Sequence, residues 1–356
     1  MLRSAVLFAA SGLWLSSACL APAQEPPASG NKVAGAEALD RAAVEFKNLI
    51  AAKAVTVAVA KDGQLVYSRG FGWSDQQQKK PVAPDALMRI ASVSKPITKI
   101  LVSNSIRGGQ LSPDARAFEL IGVKPPGGRL ADPRVAEITV QHLLDHKGGW
   151  DSKQTFDPMF RMREIQRALG LTRPPSPVNV IEFMLTQPLQ TAPGETYAYS
   201  NFGYCVLGRV LEKVHKRSYG DVLEQGLCRP LGLKDIKLAR NAAANRDPRE
   251  VSYPIPDGQF SVEVMDAHGG LIASAPALCR VFLAYGIGGE VLKPGQKFNY
   301  TFFGSIPGTT SMVRQRTDGF VAAVLLNARR EGQFSQDNDA LKASIDQAID
   351  TIVARR

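Results

Sequence analysis

The sequence predicts an α/β plus all-α protein: one antiparallel sheet built from both chain ends and flanked by helices, with a helical lobe inserted between them. Three observations predict this. Alternating apolar stretches joined by Asp-Gly turns occur near both ends of the chain, at Asp62-Gly63 and Asp318-Gly319. Each end also carries an amphipathic helix pattern. The middle, roughly Ala91 to Tyr285, is mostly helical pattern broken by segments such as Pro125-Pro126-Gly127-Gly128 and Pro174-Pro175-Ser176-Pro177.

In chain order, residues 1–23 read as an export signal. Arg3 supplies the charge, Ala5 to Leu15 the apolar stretch, and Ala21-Pro22-Ala23 the small-residue cleavage site. A periplasmic or secreted location is therefore expected. Cys19 after Ser16-Ser17-Ala18 raises a lipoprotein alternative, although the Leu usual three residues earlier is absent. Residues 24–32 read as a flexible leader. Residues 33–356 form the remaining domain, with an α/β lobe from about 33–90 and 286–356 and a helical lobe over about 91–285. Between Ala36 and Ala54, Leu39, Ala43, Phe46 and Ile50 share a helix face. Val55 to Ala60 and Leu65 to Ser68 form the first hairpin, and Ser311 to Arg316 and Phe320 to Asn327 the second. A last helix follows, with Leu341, Ile345, Ile349 and Val353 on one stripe.

Composition excludes several classes. With 44% hydrophobic and 21% charged residues, the chain has ample material for a core, so global disorder is excluded. After the signal no apolar stretch is long enough to cross a bilayer, and no stable membrane insertion is expected. The net charge is +10, and removing Arg3 with the signal leaves +9. The basic residues are dispersed, without aromatic interleaving, so no nucleic-acid partner is expected. The excess charge would attract an anionic cell envelope. Cys205, Cys228 and Cys279 remain in the mature chain. Their odd number permits at most one bridge, or three buried thiols. Their spacing suits no metal site.

Three segments carry candidate chemistry. In Ser92-Val93-Ser94-Lys95, a helix starting near Ser92 and ending at Gly108-Gly109 puts the hydroxyl of Ser92 and the amine of Lys95 on one face. Serine is a weak nucleophile until a base takes its proton, and a desolvated lysine can serve. The helix start adds N–H donors beside a developing oxyanion. Tyr199-Ser200-Asn201 follows the Pro193-Gly194 turn and precedes a helix pattern, so it sits at a loop-to-helix junction. A phenol there can pass a proton to a leaving group, and the Asn201 amide can orient lysine and substrate. In Phe302-Phe303-Gly304-Ser305, Gly304 would let a substrate approach an edge strand, and the Ser305 amide can join that of Ser92 as an oxyanion hole. Each segment alone also fits a bland reading: a capping serine and solvated lysine, a surface tyrosine with an N-cap asparagine, and a strand with a turn.

Together the three segments resemble the serine β-lactamase and penicillin-binding superfamily, in its branch of class C β-lactamases, D-alanyl-D-alanine carboxypeptidases and related esterases. Arg89 to Lys95 resembles the nucleophile segment of that branch, Ile138 to His146 its I-T-V-x-H-L-L-x-H stretch, and Tyr197 to Tyr204 its Y-S-N loop. Pro230-Leu231-Gly232-Leu233 and Gly269-Gly270-Leu271 resemble later landmarks, so the resemblance runs from about Ala36 to Asn327. It implies the β-lactamase/transpeptidase-like fold and an acyl-enzyme serine hydrolase without cofactor or metal. Its substrate would be a small molecule or a cell-wall peptide. By the resemblance Ser92 is the nucleophile, Lys95 the base together with Tyr199, Asn201 the substrate- and lysine-positioning amide, and Ser305 an oxyanion donor.

One departure matters. The third motif of the family begins with Lys or His, then Thr, Ser or Gly, then Gly; here Phe302 and Phe303 precede Gly304. A substrate carboxylate loses its anchor, a charge-assisted bond contributing roughly 1.5–3 kcal/mol. Lys297 is nearby in sequence but its surroundings lack the glycine the motif needs, and Arg314 could replace the charge from a neighbouring strand. The departure also motivates a non-catalytic, penicillin-binding-like binding protein as the alternative. A zinc hydrolase is a third reading, because His142 and His146 share a helix face in His142-Leu143-Leu144-Asp145-His146. Trp150-Asp151 and Phe156 to Arg163 are expected to shape the pocket.

Overall fold

The computed structural model describes residues 26–353, apart from 257, 259 and 294. The proposed signal at 1–23 lies outside the described residues.

The main sheet has six strands: β1 (Ala28–Ser29), β2 (Ala54–Lys61), β3 (Gln64–Gly72), β7 (Tyr300–Ile306), β8 (Thr309–Gln315) and β9 (Phe320–Leu326). Their order is β1-β3-β2-β9-β8-β7, antiparallel throughout. The two chain ends meet at β2 and β9, where Val57 faces Val324. This joins the two hairpins read from the sequence into one layer. The residues 24–32 expected as a flexible leader are corrected where described. Ala28 and Ser29 pair with Phe71 and Gly70, and the Gly72 amide donates to Pro27 O at 2.8 Å.

Side-chain alternation divides β2 between two cores. Val55, Val57 and Val59 face the layer formed by the helices Glu37–Leu49 and Phe334–Val353, with Leu39, Phe46, Leu341 and Ile345. Ala54, Ala58 and Ala60 face the other way, toward the helix Ala275–Ala284 and the helical lobe. Small side chains on that face let this helix lie close to the sheet. Burying one valine from water contributes about 1.5–3 kcal/mol, so these two cores carry the fold.

Helical pattern in the middle of the chain conceals a second sheet. β4 (Met88–Arg89), β5 (Ile236–Leu238) and β6 (Leu271–Ala273) pair in the order β4-β6-β5. Strands of two or three residues leave too short a period to be read from sequence. β4 runs directly into the segment that carries Ser92, and β6 follows a turn over residues 262–269. The three cysteines are free and buried, each thiol aimed at a backbone carbonyl, and burial pushes their pKa values up to about 12.

Candidate functional site

Ser92 sits in a 3₁₀ turn, Ala91–Val93, that feeds the helix Ser94–Arg107. The sequence reading placed the helix start at Ser92; the tighter turn comes first. Ala91 has φ of +45°, a left-handed conformation that costs an alanine roughly 1–2 kcal/mol. Its surroundings hold it there. The Ile90 amide donates to Leu271 O at 3.0 Å, and Ile90 O accepts from the Val93 amide at 3.0 Å and from the Ser311 hydroxyl at 2.7 Å. The Leu271 amide donates to the hydroxyl of fully buried Ser94 at 3.2 Å.

Lys95 is 1% exposed. A buried ammonium is tolerated only where its donors are satisfied. Here Nζ donates to Ser92 Oγ at 3.3 Å, Asn201 Oδ1 at 2.6 Å and His268 O at 2.9 Å. It also lies over the rings of Tyr199, at 4.8 Å, and Tyr204, at 5.9 Å. Three acceptors from three remote segments thus converge on one amine. The His268 carbonyl is set by the turn over residues 262–269, which a buried ion pair stiffens. Arg209 donates to Asp266 at 2.6 Å, and the other carboxylate oxygen of Asp266 accepts from the Ala267 amide at 2.6 Å.

Tyr199 and Asn201 arrive at the start of the helix Asn201–His215, capped by Ser200 Oγ accepting from the Gly203 amide at 2.9 Å. Ser200 is the cap, and Asn201 is freed for the site. The incoming loop is fixed by His146: its Nδ1 accepts from the Ser200 amide at 3.0 Å and its carbonyl from Ala198 at 2.8 Å. Its ring packs on those of Tyr199 and Tyr204 at 4.7 and 5.1 Å. Burial, with Lys95 and Lys99 nearby, drives the His146 pKa down to about 3, so the ring is neutral and its other nitrogen bears the proton. His142 serves the backbone too, with Nδ1 accepting from Thr139 at 3.3 Å and Nε2 against Gly194. Both histidines of the zinc-like pattern therefore organise loops. The Tyr199 hydroxyl makes no hydrogen bond among the described residues; its contact with Lys95 is through the ring face.

β7 is the sheet edge beside Ser92. Gly304 is required there by protein, not by substrate. A Cβ on it would strike Ile90 O and the Ser311 hydroxyl and lie 3.0 Å from the Ser92 amide nitrogen. Phe302 packs toward the helical-lobe core and Phe303 toward the outer helices, and both contribute to the lining of the cleft. Ser305 also lines the cleft.

Neither candidate replacement for the missing cation reaches the site. Arg314 pairs with Thr301 in register and donates to Asp346 at 3.0 Å and Asn299 at 2.7 Å on the opposite face. Lys297 belongs to a separate cavity beside Asp62 and Gly319. The cleft, about 710 Å³, is walled instead by Phe160, Met265, Tyr300, Phe302, Ile306 and Phe334. Its cations, Arg329 and Arg330, are bonded to Glu331 and Asp337. Of the expected wall residues, Phe160 lines the cleft, while Trp150 is buried against Phe118 and Phe202.

Sequence reasoning missed Asp157. Its Oδ1 accepts from the Met159 amide at 3.0 Å, capping the turn Pro158–Phe160, and its Oδ2 accepts from Asn201 Nδ2. Asp before Pro is a readable cap signal, but nothing local links it to Asn201, 44 residues away.

Fold and side-chain arrangement together define the serine β-lactamase and penicillin-binding protein-like class. Residues 44–321 match the Beta-lactamase family, and the chain belongs to that family. The esterase EstB of Burkholderia gladioli is 27% identical over 260 residues, 67% of this chain and 60% of that protein. A probable fimbrial assembly protein FimD, serogroup H1, of Dichelobacter nodosus is 36% identical over 169 residues, 47% of this chain and 39% of that protein. The chain thus spans less than two thirds of the length of these curated relatives. A solved D-amino acid amidase from Ochrobactrum anthropi SV3 superposes with a TM-score of 0.68 at 18% identity, covering 91% of this chain and 100% of that one.

Proposed function

We propose that the cleft is the acyl-transfer site of an exported serine hydrolase acting on neutral esters or amides with an apolar acyl group. The observation that carries this reading is the buried Lys95 amine held between Ser92 Oγ, Asn201 Oδ1 and His268 O. As base, Lys95 must first give up the proton it directs to Ser92; the free amine then has two N–H groups and one lone pair. With Asn201 and His268 taking the two donors, the lone pair faces Ser92. Ser92 Oγ attacks the acyl carbon while its proton passes to Lys95. The oxyanion is received by the amides of Ser92 and Ser305; as the intermediate collapses, Tyr199 gives its hydroxyl proton to the leaving group and is reprotonated from Lys95, which returns to the free amine. Water then releases the acid and restores Ser92. An esterase among the relatives supports this reading, and the apolar walls support the acyl preference. Location outside the cytoplasm rests on the signal pattern of residues 1–23.

The test is a panel of p-nitrophenyl esters, nitrocefin and D-alanyl peptides, with fluorophosphonate labelling of wild type, Ser92→Ala and Lys95→Ala. The expected result is labelling of wild type alone, with the two variants equally inert because the pair acts as one unit. Retained activity in Lys95→Ala refutes the assigned base. No labelling and no hydrolysis by wild type would favour the non-catalytic binder that Phe302 motivates.

A further inference from the structure

We propose that Asp157 is the positioning residue of the site: it dictates which end of the Asn201 side-chain amide faces Lys95. The inference rests on the acyl-transfer reading above. A side-chain amide has an accepting oxygen and a donating nitrogen, and its two orientations fill nearly the same space. A carboxylate can only accept. Asp157 Oδ2 takes the hydrogen bond from Asn201 Nδ2, so Asn201 Oδ1 must point the other way, to Lys95 at 2.6 Å. That orientation matters to the chemistry. With Oδ1 toward it, the amine donates to Asn201 and keeps its lone pair for Ser92. With the amide reversed, Nδ2 would donate to the amine and occupy the lone pair that must receive the Ser92 proton.

The same carboxylate joins this orientation to the cleft wall. Its Oδ1 caps the turn Pro158–Phe160 through the Met159 amide at 3.0 Å. Phe160, at the end of that turn, lines the cleft and packs against Phe260 at 6.4 Å between ring centres. One side chain therefore fixes both the polarity of the base's partner and the place of an acyl-pocket wall.

Asp157→Asn separates the two roles. Asparagine caps a turn about as well as aspartate, so the wall survives. It can also donate, so it no longer dictates the Asn201 orientation. The experiment measures three things on the full chain: the second-order rate of fluorophosphonate labelling at Ser92, kcat and KM on p-nitrophenyl butyrate, and Tm. It is run for wild type, Asp157→Asn, Asn201→Ala and the double variant. The expected result is labelling and kcat about tenfold lower in Asp157→Asn, KM within about threefold and Tm unchanged. In the Asn201→Ala background the same substitution should cost nothing further, since the amide through which it acts is gone. Asp157→Ala is the second variant. It removes cap and anchor together and lowers Tm; of its labelling loss, the part that Asp157→Asn also shows should vanish beside Asn201→Ala, leaving only the part due to the displaced wall. Wild-type rates in Asp157→Asn, or an equal loss in both backgrounds, overturns the proposal alone. A wild type that neither labels nor turns over defeats the acyl-transfer reading, and the proposal with it.

Discussion

Replacing Gly304 with alanine isolates the contact that aligns the sheet edge with Ser92. The added methyl would strike Ile90 O and the Ser311 hydroxyl and press on the Ser92 amide nitrogen at 3.0 Å. None of these can yield freely. Ile90 is bonded at its amide to Leu271 and at its carbonyl to Val93 and Ser311, and Ala91 already holds a φ of +45°. The strand must retreat, by about 1 Å to restore ordinary contact. Overpacking of this kind costs about 1–3 kcal/mol, which for a domain of this size lowers Tm by about 2–6 °C. The retreat also separates the Ser305 amide from that of Ser92, and misplacement by about 1 Å costs about 100-fold in rate. Thermal unfolding and the fluorophosphonate labelling rate read the two effects together. If the glycine instead makes room for substrate, KM alone should rise. Unchanged Tm and labelling rate with a raised KM would refute the backbone-contact argument.

Two further outcomes are expected. Phe302→Lys places a cation in the cleft where Arg314 and Lys297 do not reach, and should raise kcat/KM for carboxylate-bearing substrates such as D-alanyl peptides by about tenfold or more relative to neutral esters; no gain, in a variant that still labels, shows that another group already holds the carboxylate. Acid should weaken the fold through His146. Its pKa is lowered from 6.5 to about 3 in the folded state, so below pH 6.5 the unfolded chain binds the proton first and stability falls as pH falls, by about 2 kcal/mol between about pH 6.5 and 4.5. His146→Asn keeps an acceptor for the Ser200 amide and suits the φ of +56°, so its urea midpoint should depend less on pH over that window. Part of the dependence should remain, because burial also drives His268 well below its ordinary value. Identical pH dependence in wild type and variant would refute the assignment.

What could be read in the sequence follows the range of the interactions. The long strands and amphipathic helices were legible because a buried face imprints a period over many residues, as in Val55, Val57 and Val59 or Leu341, Ile345 and Ile349. The short strands Met88–Arg89 and Leu271–Ala273 were not, since two or three residues carry no period. Ser92 and Lys95 could be placed together because one helical turn does so. Asp157 and the His268 carbonyl could not, because a backbone oxygen has no letter in a sequence and the partner of a carboxylate is set by the tertiary fold. The role of Gly304 was misread for the same reason: the group approaching it belongs to Ile90 and Ser92, over two hundred positions earlier.

On the proposed acyl-transfer reading, the absence of a cation at residue 302 would alter selectivity and leave the nucleophile intact. The Lys95 amine is held by Ser92, Asn201, His268 and the ring faces of Tyr199 and Tyr204. None of these contacts involves Phe302. On the cleft side, the available guanidiniums are already bonded: Arg330 to Asp337, a carboxylate 5% exposed, and Arg329 to Glu331. A substrate carboxylate would have to compete with these partners and shed its own water against Phe302, Phe334 and Ile306. An apolar acyl chain meets no such penalty and gains about 0.8 kcal/mol for each methylene it buries. On that reading, activation of the serine and choice of the acyl group fall to different walls, and the second could change while the first stays in place.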